Sequence, residues 1–395
     1  MQESTFWKRI FLPRRLKADP MNRKTLWRFD FLLFLPVLAL VLIGIIFIHS
    51  ASYRSAEIYQ GYYTDYSKRQ VVWLGIAFLA FWAALLPGYN LFSRYAYTIY
   101  ALGLLGLVTV LIIGREIGGA KRWLAFGPLR MQPSEFMKLA FLLALAKYLI
   151  YKDVLNKWWG LAVPLALAAV PMALVLRQPD LGTALLFLPI LFVVVYVAGA
   201  KLKHLLALVA AGVASLPLFW FFVFEEYMRR RLIYFISPGL DPRGGGYQLI
   251  QSKIAVGSGG LLGKGLGQGT QNMLNFLLQR HTDFIFSVIA EEWGTLGVIL
   301  IFSLFFFIIL FGLEIALRTR EPFGRLLATG VVTLITTQVV INTGMAVGLV
   351  PITGLTLPFV SYGGSSLVTS FIALGLLLNV GLRHFPVVAP EDFQG

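Results

Sequence analysis

Apolar stretches of about 18–25 residues recur along nearly the whole chain, each long enough to cross roughly 30 Å of hydrocarbon. Short polar or basic segments separate them. The runs fall at 31–48, 69–86, 91–113, from Pro133 onward, 158–176, 181–198, up to Phe224, 284–313, 326–349 and 367–381. Backbone in a bilayer must satisfy its hydrogen bonds internally, so the pattern predicts an all-α polytopic membrane protein of about ten transmembrane helices. Pro164, Pro171, Pro189 and Pro217 lie inside apolar runs, which bilayer helices tolerate when neighbours satisfy the freed carbonyls. Between 225 and 283 there is no clear spanning run, and this segment is the one large loop.

Composition agrees with that pattern. Hydrophobic residues make up 58% of the 395 and charged residues 13%, and the mean hydropathy is +0.75, which excludes a water-soluble globule. The chain has no cysteine, so disulfides, thiol nucleophiles and Cys-based metal sites are excluded.

The net charge of +15 would suggest nucleic acid in a soluble protein; here the basic residues sit in tails and inter-span segments, which favours a membrane surface and no nucleic-acid partner. Lys8, Arg9, Arg14, Arg15, Lys17, Arg23, Lys24 and Arg28 precede the first span and place the N-terminus in the cytoplasm. The expected organisation is a cytoplasmic basic tail over 1–29, a single transmembrane domain over 30–384 whose 225–283 loop is extracytoplasmic, and a cytoplasmic C-terminal tail over 385–395. In that topology the basic residues of 114–135 lie outside, against the positive-inside bias, and call for another reason.

The stretch Arg280-His281-Thr282-Asp283 opens the eighth apolar run. A carboxylate at the edge of hydrocarbon marks a functional site unless it caps the following helix, and both readings fit Asp283. Glu135 and Lys138, three apart on one face of the fourth span, fit a structural ion pair or a substrate contact. Asp180 and Arg177 lie close enough in sequence to pair, His204 fits an interfacial residue, and Gln338 with Asn342 fits inter-helix hydrogen bonding. The run from Gly244 to Gly269 is glycine-rich and holds Lys253 and Lys264. It fails the Walker A pattern because Gly265 follows Lys264, leaving an anion-binding surface or a re-entrant loop. The segment 350–366, dense in Pro, Gly and hydroxyls yet apolar, is expected to re-enter the bilayer edge beside the eighth span.

The outer face therefore offers one well-placed acid, Asp283, with Arg243, Lys253, Lys264 and Arg280 around it. Glycoside hydrolysis requires two carboxylates flanking one bond; Glu291 and Glu292 on a continuous helix would lie ~12 Å deeper. One base beside cations suits glycosyl transfer from a diphosphate-linked donor.

Three stretches resemble the SEDS family (shape, elongation, division and sporulation). They are 246–271 read with His281-Thr282-Asp283-Phe284-Ile285-Phe286; Leu357-Pro358-Phe359-Val360-Ser361-Tyr362-Gly363-Gly364-Ser365-Ser366; and Lys121-Arg122-Trp123 with Gln132-Pro133-Ser134-Glu135. The resemblance covers essentially all ten spans, and the wording of 251–260 and 269–271 is closer to the RodA branch than to the FtsW branch. It implies a peptidoglycan glycosyltransferase for elongation and shape in the bacterial cytoplasmic membrane. Lipid II and the growing glycan strand would be its substrates. A class B penicillin-binding protein and other elongation-complex membrane proteins would be its partners.

Asp283 matches the family's external acid and would be the base. Trp123, Glu135 and Lys138 match functionally important positions, and Asp180 matches a motif of unassigned role. Lys121, Arg122, Arg243, Lys253, Lys264, Arg280, His281, Ser361, Tyr362 and Ser365 complete the expected substrate-binding set. Leu278-Gln279 replaces the family's usual Pro-Glu before the acid, so no carboxylate at 279 takes part. A divalent cation, Mg²⁺ or Mn²⁺, is compatible with a diphosphate leaving group, although the sequence shows no ligand cluster. A lipid II flippase and a noncatalytic scaffold of the cell-wall complex are the alternatives.

Overall fold

The computed structural model describes residues 31–58, 66–117, 120–126, 129–150, 155, 157–222, 224–241, 246–274 and 276–383; Arg243 and both terminal tails lie outside them. Among these residues, ten helices occupy the ten apolar runs. They are α1 (Phe31–Ile58), α2 (Tyr66–Leu85), α3 (Tyr89–Ile113), α4 (Pro133–Tyr148), α5 (Ala162–Leu176), α6 (Leu181–Val197), α7 (Leu202–Phe222), and, after the large loop, α11 (Ile285–Arg318), α12 (Pro322–Val347) and α13 (Gly364–Arg383). Eight are long and apolar enough to cross a bilayer by length and composition, α5 together with its leading 3-10 turn. The other two are short: α4 has 16 residues, about 24 Å of rise, and α6 has 17.

Burial sorts the helices. The most apolar stretch of α13 is 89% buried and that of α12 72%, whereas that of α7 is only 6% buried. Helices α4, α12 and α13 therefore form the centre of the bundle, and α7 sits at its edge against α6. A helix whose apolar surface faces outward all round is stable only against lipid. The protein is a multi-pass membrane protein.

Between α3 and α4 the chain forms a small antiparallel sheet of β1 (Arg115–Ile117), β2 (Ala120–Phe126) and β3 (Leu129–Met131) in that order. It is the one departure from an all-helical chain among the described residues. Arg115 pairs with Trp123 and Glu116 with Lys121, with a bulge between them. Alternation along β2 puts Lys121 and Trp123 on one face and Arg122 on the other. Within the 225–283 segment lie three further helices: α8 (Glu226–Ile236), α9 (Tyr247–Ser258) and the single turn α10 (Thr270–Met273).

Helix α11 is broken at Gly294, where φ is 62° and ψ −156°. The break frees backbone groups on both sides, and the glycine-rich loop pairs with them. Thr295 and Leu296 N–H donate to the carbonyls of Gly260 (2.9 Å) and Leu261 (3.2 Å), while Lys264 and Gly265 N–H donate to the carbonyls of Glu291 and Glu292, both 3.0 Å. The glycine-rich run is thus a loop folded back onto a spanning helix, with Gly259 and Gly269 buried against it and Leu261, Leu262 and Leu266 exposed. A Cβ on Gly294 would lie 2.7 Å from the Leu261 carbonyl oxygen and strike Gly263 as well. Gly294→Ala is expected to cost about 1–3 kcal/mol from the dihedral alone, with the clash adding to it. The check is a lower melting temperature of the detergent-solubilised protein.

Candidate functional site

Asp283 lies on the turn that leads into α11. The N-cap of that helix is Phe284, with no side-chain cap bond, so the helix-cap reading of Asp283 fails and its carboxyl is left for other work. The backbone of the turn is clamped from two sides. Asn342 of α12 donates its amide to the carbonyls of Asp283 (2.9 Å) and Leu355 (2.6 Å). Ser361 donates to the Thr282 carbonyl at 2.6 Å, and Tyr362 N–H donates to the His281 carbonyl at 2.8 Å. The 349–363 segment therefore docks beside the start of α11, as its apolar, breaker-rich sequence suggested. Within it Phe359 holds φ 65°, a left-handed conformation costly for a bulky side chain and retained where the surroundings impose it. Asn342, expected to hold helices together, instead ties the two site segments to each other.

Electrostatics give the carboxyl its character. Burial pushes the Asp283 pKa up to about 6; a hydrogen bond from Thr282 and the charges of Arg231 and Arg122 oppose the rise, and Asp180 adds to it. Its neighbour His281 stacks on Tyr66 with ring centroids 4.2 Å apart. Burial, reinforced by Arg280, pushes that imidazole down to about 4, so it is neutral at pH 7.

Arg122 reaches from β2 to the α5–α6 connection. Its Nε donates to the Gln178 carbonyl at 2.9 Å, one Nη donates to the Pro179 carbonyl, and the other lies 4.0 Å from Asp180. Asp180 caps α6 by accepting from Thr183 N–H at 3.2 Å. Its other oxygen accepts from the Thr183 hydroxyl at 2.9 Å and from the Gln132 amide at 3.0 Å. Asp180 thus pairs with Arg122 rather than Arg177, and it holds the sheet against α6.

The other candidates make contacts of their own. Glu135 and Lys138 form a 2.8 Å ion pair, both buried at the start of α4. Ser365 accepts from Gln132 N–H at 2.9 Å, joining α13 to the sheet; Lys121 is exposed and Trp123 half-buried. Lys253 is exposed and lies over Gly348, the left-handed C-cap of α12, a favourable place for a cation. Lys264 is held by Glu291 (2.7 Å), Ser258 (2.7 Å) and Thr270 (2.8 Å). Arg280 donates to the Ala51 carbonyl at 2.6 Å and lines a cavity of about 660 Å³ between α1, α2 and the glycine-rich loop. Glu291 and Glu292 are fully buried.

Arg231 and Tyr227 of α8 are the residues missed in sequence. Nothing in the sequence distinguishes the consecutive Arg229, Arg230 and Arg231, and only the helical face separates them. Arg230 pairs with Glu226 in the open, whereas Arg231 and Tyr227, four apart, turn inward. Among the described residues no three His, Asp or Glu side chains converge to hold a metal.

The family model described as "Cell cycle protein", FtsW/RodA/SpoVE, matches residues 30–384. A relative named "Probable peptidoglycan glycosyltransferase FtsW" from Geobacter metallireducens is 39% identical over 92% of this chain and 97% of its own. "Peptidoglycan glycosyltransferase MrdB" of Escherichia coli K12 is 37% identical over 92% and 97%. Among solved structures, a chain of a peptidoglycan synthase complex that coordinates polymerization and crosslinking superposes with a TM-score of 0.77 at 38% identity, covering 90% of this chain and 98% of that one. Thermus thermophilus RodA superposes at 0.67 with 34% identity, covering 95% and 100%. This chain belongs to the FtsW/RodA/SpoVE family of multi-pass membrane proteins, the SEDS family.

Proposed function

We propose that this chain is a peptidoglycan glycosyltransferase that polymerises lipid II on the outer side of the bacterial cytoplasmic membrane. The observation that carries the reading is Asp283, a half-buried carboxyl held near 6 beside arginines. Such a group is ionised at neutral pH yet basic enough to take a proton. Asp283 removes the proton of the acceptor GlcNAc hydroxyl as its oxygen bonds to the anomeric carbon of the donor sugar. The bond from that carbon to the diphosphate breaks, and its electron pair leaves with undecaprenyl diphosphate. Glu291 and Glu292 take no part because the glycine-rich loop covers them. The RodA-like wording assigns the activity to elongation.

The basic N-terminal tail supports cytoplasmic termini, and an even number of spanning helices returns both to one side. A class B penicillin-binding protein is the partner, a reading supported by the polymerization and crosslinking described for the related complex. The test supplies purified protein, with and without that transpeptidase, with lipid II, and in parallel follows lipid movement in proteoliposomes. Glycan strands are the expected product. Lipid movement without polymer in either arm would replace this reading with the flippase.

A further inference from the structure

The cavity of about 660 Å³ between α1, α2 and the glycine-rich loop is not lined by Asp283. Its apolar lining comes from Ile45 and Ile46 of α1, Val71 of α2, and Leu266 and Met273 of the loop, and its charged lining from Lys68 and Arg280. Ile46, Val71 and Leu266 are exposed, so the mouth faces lipid. The two kinds of lining lie at different depths. Helix α2 descends from the Asp283 end, where Tyr66 stacks on His281, and α1 rises toward that end, where Ala51 meets Arg280. Ile45 therefore lies one helical turn, ~5 Å, deeper than His49, and Val71 nearly one turn deeper than Lys68.

Arg280 is the buried cation of this cavity. It is 9% exposed, and the bond from its Nε to the Ala51 carbonyl holds the guanidinium at the wall. Lys68, exposed in the first turn of α2, brings a second positive charge. The loop wall is built in advance, because Gly267 N–H and the Asn272 amide each donate to Glu292 at 3.0 Å and Ser50 donates to it at 2.8 Å. Arg280 acts electrostatically on His281, whereas Thr282, Arg231, Arg122 and Asp180 act on Asp283. The cavity and the carboxyl are thus separate sites.

The gradient from hydrocarbon to cation defines the occupant. A phospholipid places acyl chains below a phosphate, in the same order and on the same scale. A guanidinium takes phosphate oxygens in charge-assisted hydrogen bonds, and a lysine snorkels to the same level. A zwitterionic headgroup brings a cation of its own, which the two basic residues repel.

We propose that the cavity binds one anionic glycerophospholipid from the leaflet on the Asp283 side, with its phosphate between Arg280 and Lys68 and an acyl chain along Ile45, Ile46 and Val71. The bound lipid ties the glycine-rich loop to α1 and α2. This site does not depend on the glycosyltransferase reading.

The test strips full-length protein of lipid in detergent and titrates it with dioleoylphosphatidylglycerol, dioleoylphosphatidylcholine and undecaprenyl diphosphate. Native mass spectrometry counts the retained lipid, and thermal unfolding follows stability. One phosphatidylglycerol should be held about 20-fold more tightly than phosphatidylcholine, roughly fivefold for each cation, and should raise the melting temperature as its concentration rises. Lys68→Gln should weaken its binding about fivefold. Ile46→Trp, which fills the lipid side of the cavity and leaves both charges in place, should abolish the tight site. Both residues are exposed, so these variants report on the site even if Arg280→Gln fails to fold. Undecaprenyl diphosphate should leave the retained phosphatidylglycerol in place. Equal retention of the two phospholipids, or phosphatidylglycerol binding unchanged in Lys68→Gln and Ile46→Trp, overturns the site. Displacement of phosphatidylglycerol by undecaprenyl diphosphate overturns the phospholipid assignment and gives the cavity to a polyprenyl substrate.

Discussion

Asp283→Asn is expected to reduce glycan-strand synthesis by about 10²–10⁴-fold, the range supplied by a positioned general base. The amide is nearly isosteric, and the contacts that fix the turn use backbone: the Asp283 carbonyl accepts from Asn342, and its N–H donates to the Gln279 carbonyl at 3.1 Å. The carboxyl does not cap α11, so yield, melting temperature and association with the transpeptidase should stay close to those of the unaltered protein. The pH dependence follows from the same environment. With the carboxyl pushed up to about 6, the base is protonated and idle below that value and ionised above it. Activity should therefore rise with pH through about 6 and level off beyond, instead of levelling near 4 as for an exposed aspartate. Lipid II polymerisation measured from pH 4.5 to 8 checks both points. Normal strand lengths from Asp283→Asn would eliminate base catalysis at this position.

The helices of the ten apolar runs, eight of them long and apolar enough to cross a bilayer, are legible in the sequence because lipid imposes one coarse requirement, about twenty apolar residues per crossing. Of the two short helices, α4 has its start marked in the sequence by Pro133-Ser134, whereas the cap of α6, Asp180, emerges from the structure. Asp283 stood out for the same reason in reverse: charge at the end of an apolar run is costly and demands an account. The companions of that acid were harder to read. Arg122 approaches it only because a bulged three-stranded sheet, too short to leave a periodic signal, folds back between α3 and α4. Arg231 is one of three consecutive arginines, and its inward direction depends on how α8 is rotated. Asn342 has the spacing of a residue that joins helices, yet its amide spans two loops. Proximity in sequence to glycine and to an acid does not reveal which partners a lysine takes in the fold, and Lys264 takes Glu291.

Lys264 makes that distinction measurable. Its ammonium, about one-quarter exposed, lies 2.7 Å from Glu291, whose side chain is fully buried. The same Glu291 oxygen accepts from the Thr270 hydroxyl and Gln271 N–H, each at 3.0 Å. Glu292 beside it accepts from Ser50 at 2.8 Å, from Asn272 at 3.0 Å and from Gly267 N–H at 3.0 Å. The two carboxylates therefore fasten the glycine-rich loop to α11 and α1 across the Gly294 break. Lys264→Met would leave the Glu291 carboxylate buried without its counter-charge, a loss of about 3–5 kcal/mol. It should appear as a lower melting temperature and as protease cleavage within 259–270. Adding Glu291→Gln removes the stranded charge while keeping an oxygen for Thr270 and Gln271, and should recover most of that stability. Had Lys264 instead gripped the diphosphate of the substrate, the single variant would keep its melting temperature and show a raised KM for lipid II, and the second substitution would repair nothing. A stable Lys264→Met protein with a substrate-binding defect would thus return this lysine to the active site and remove the ion pair from the account of how the loop is held.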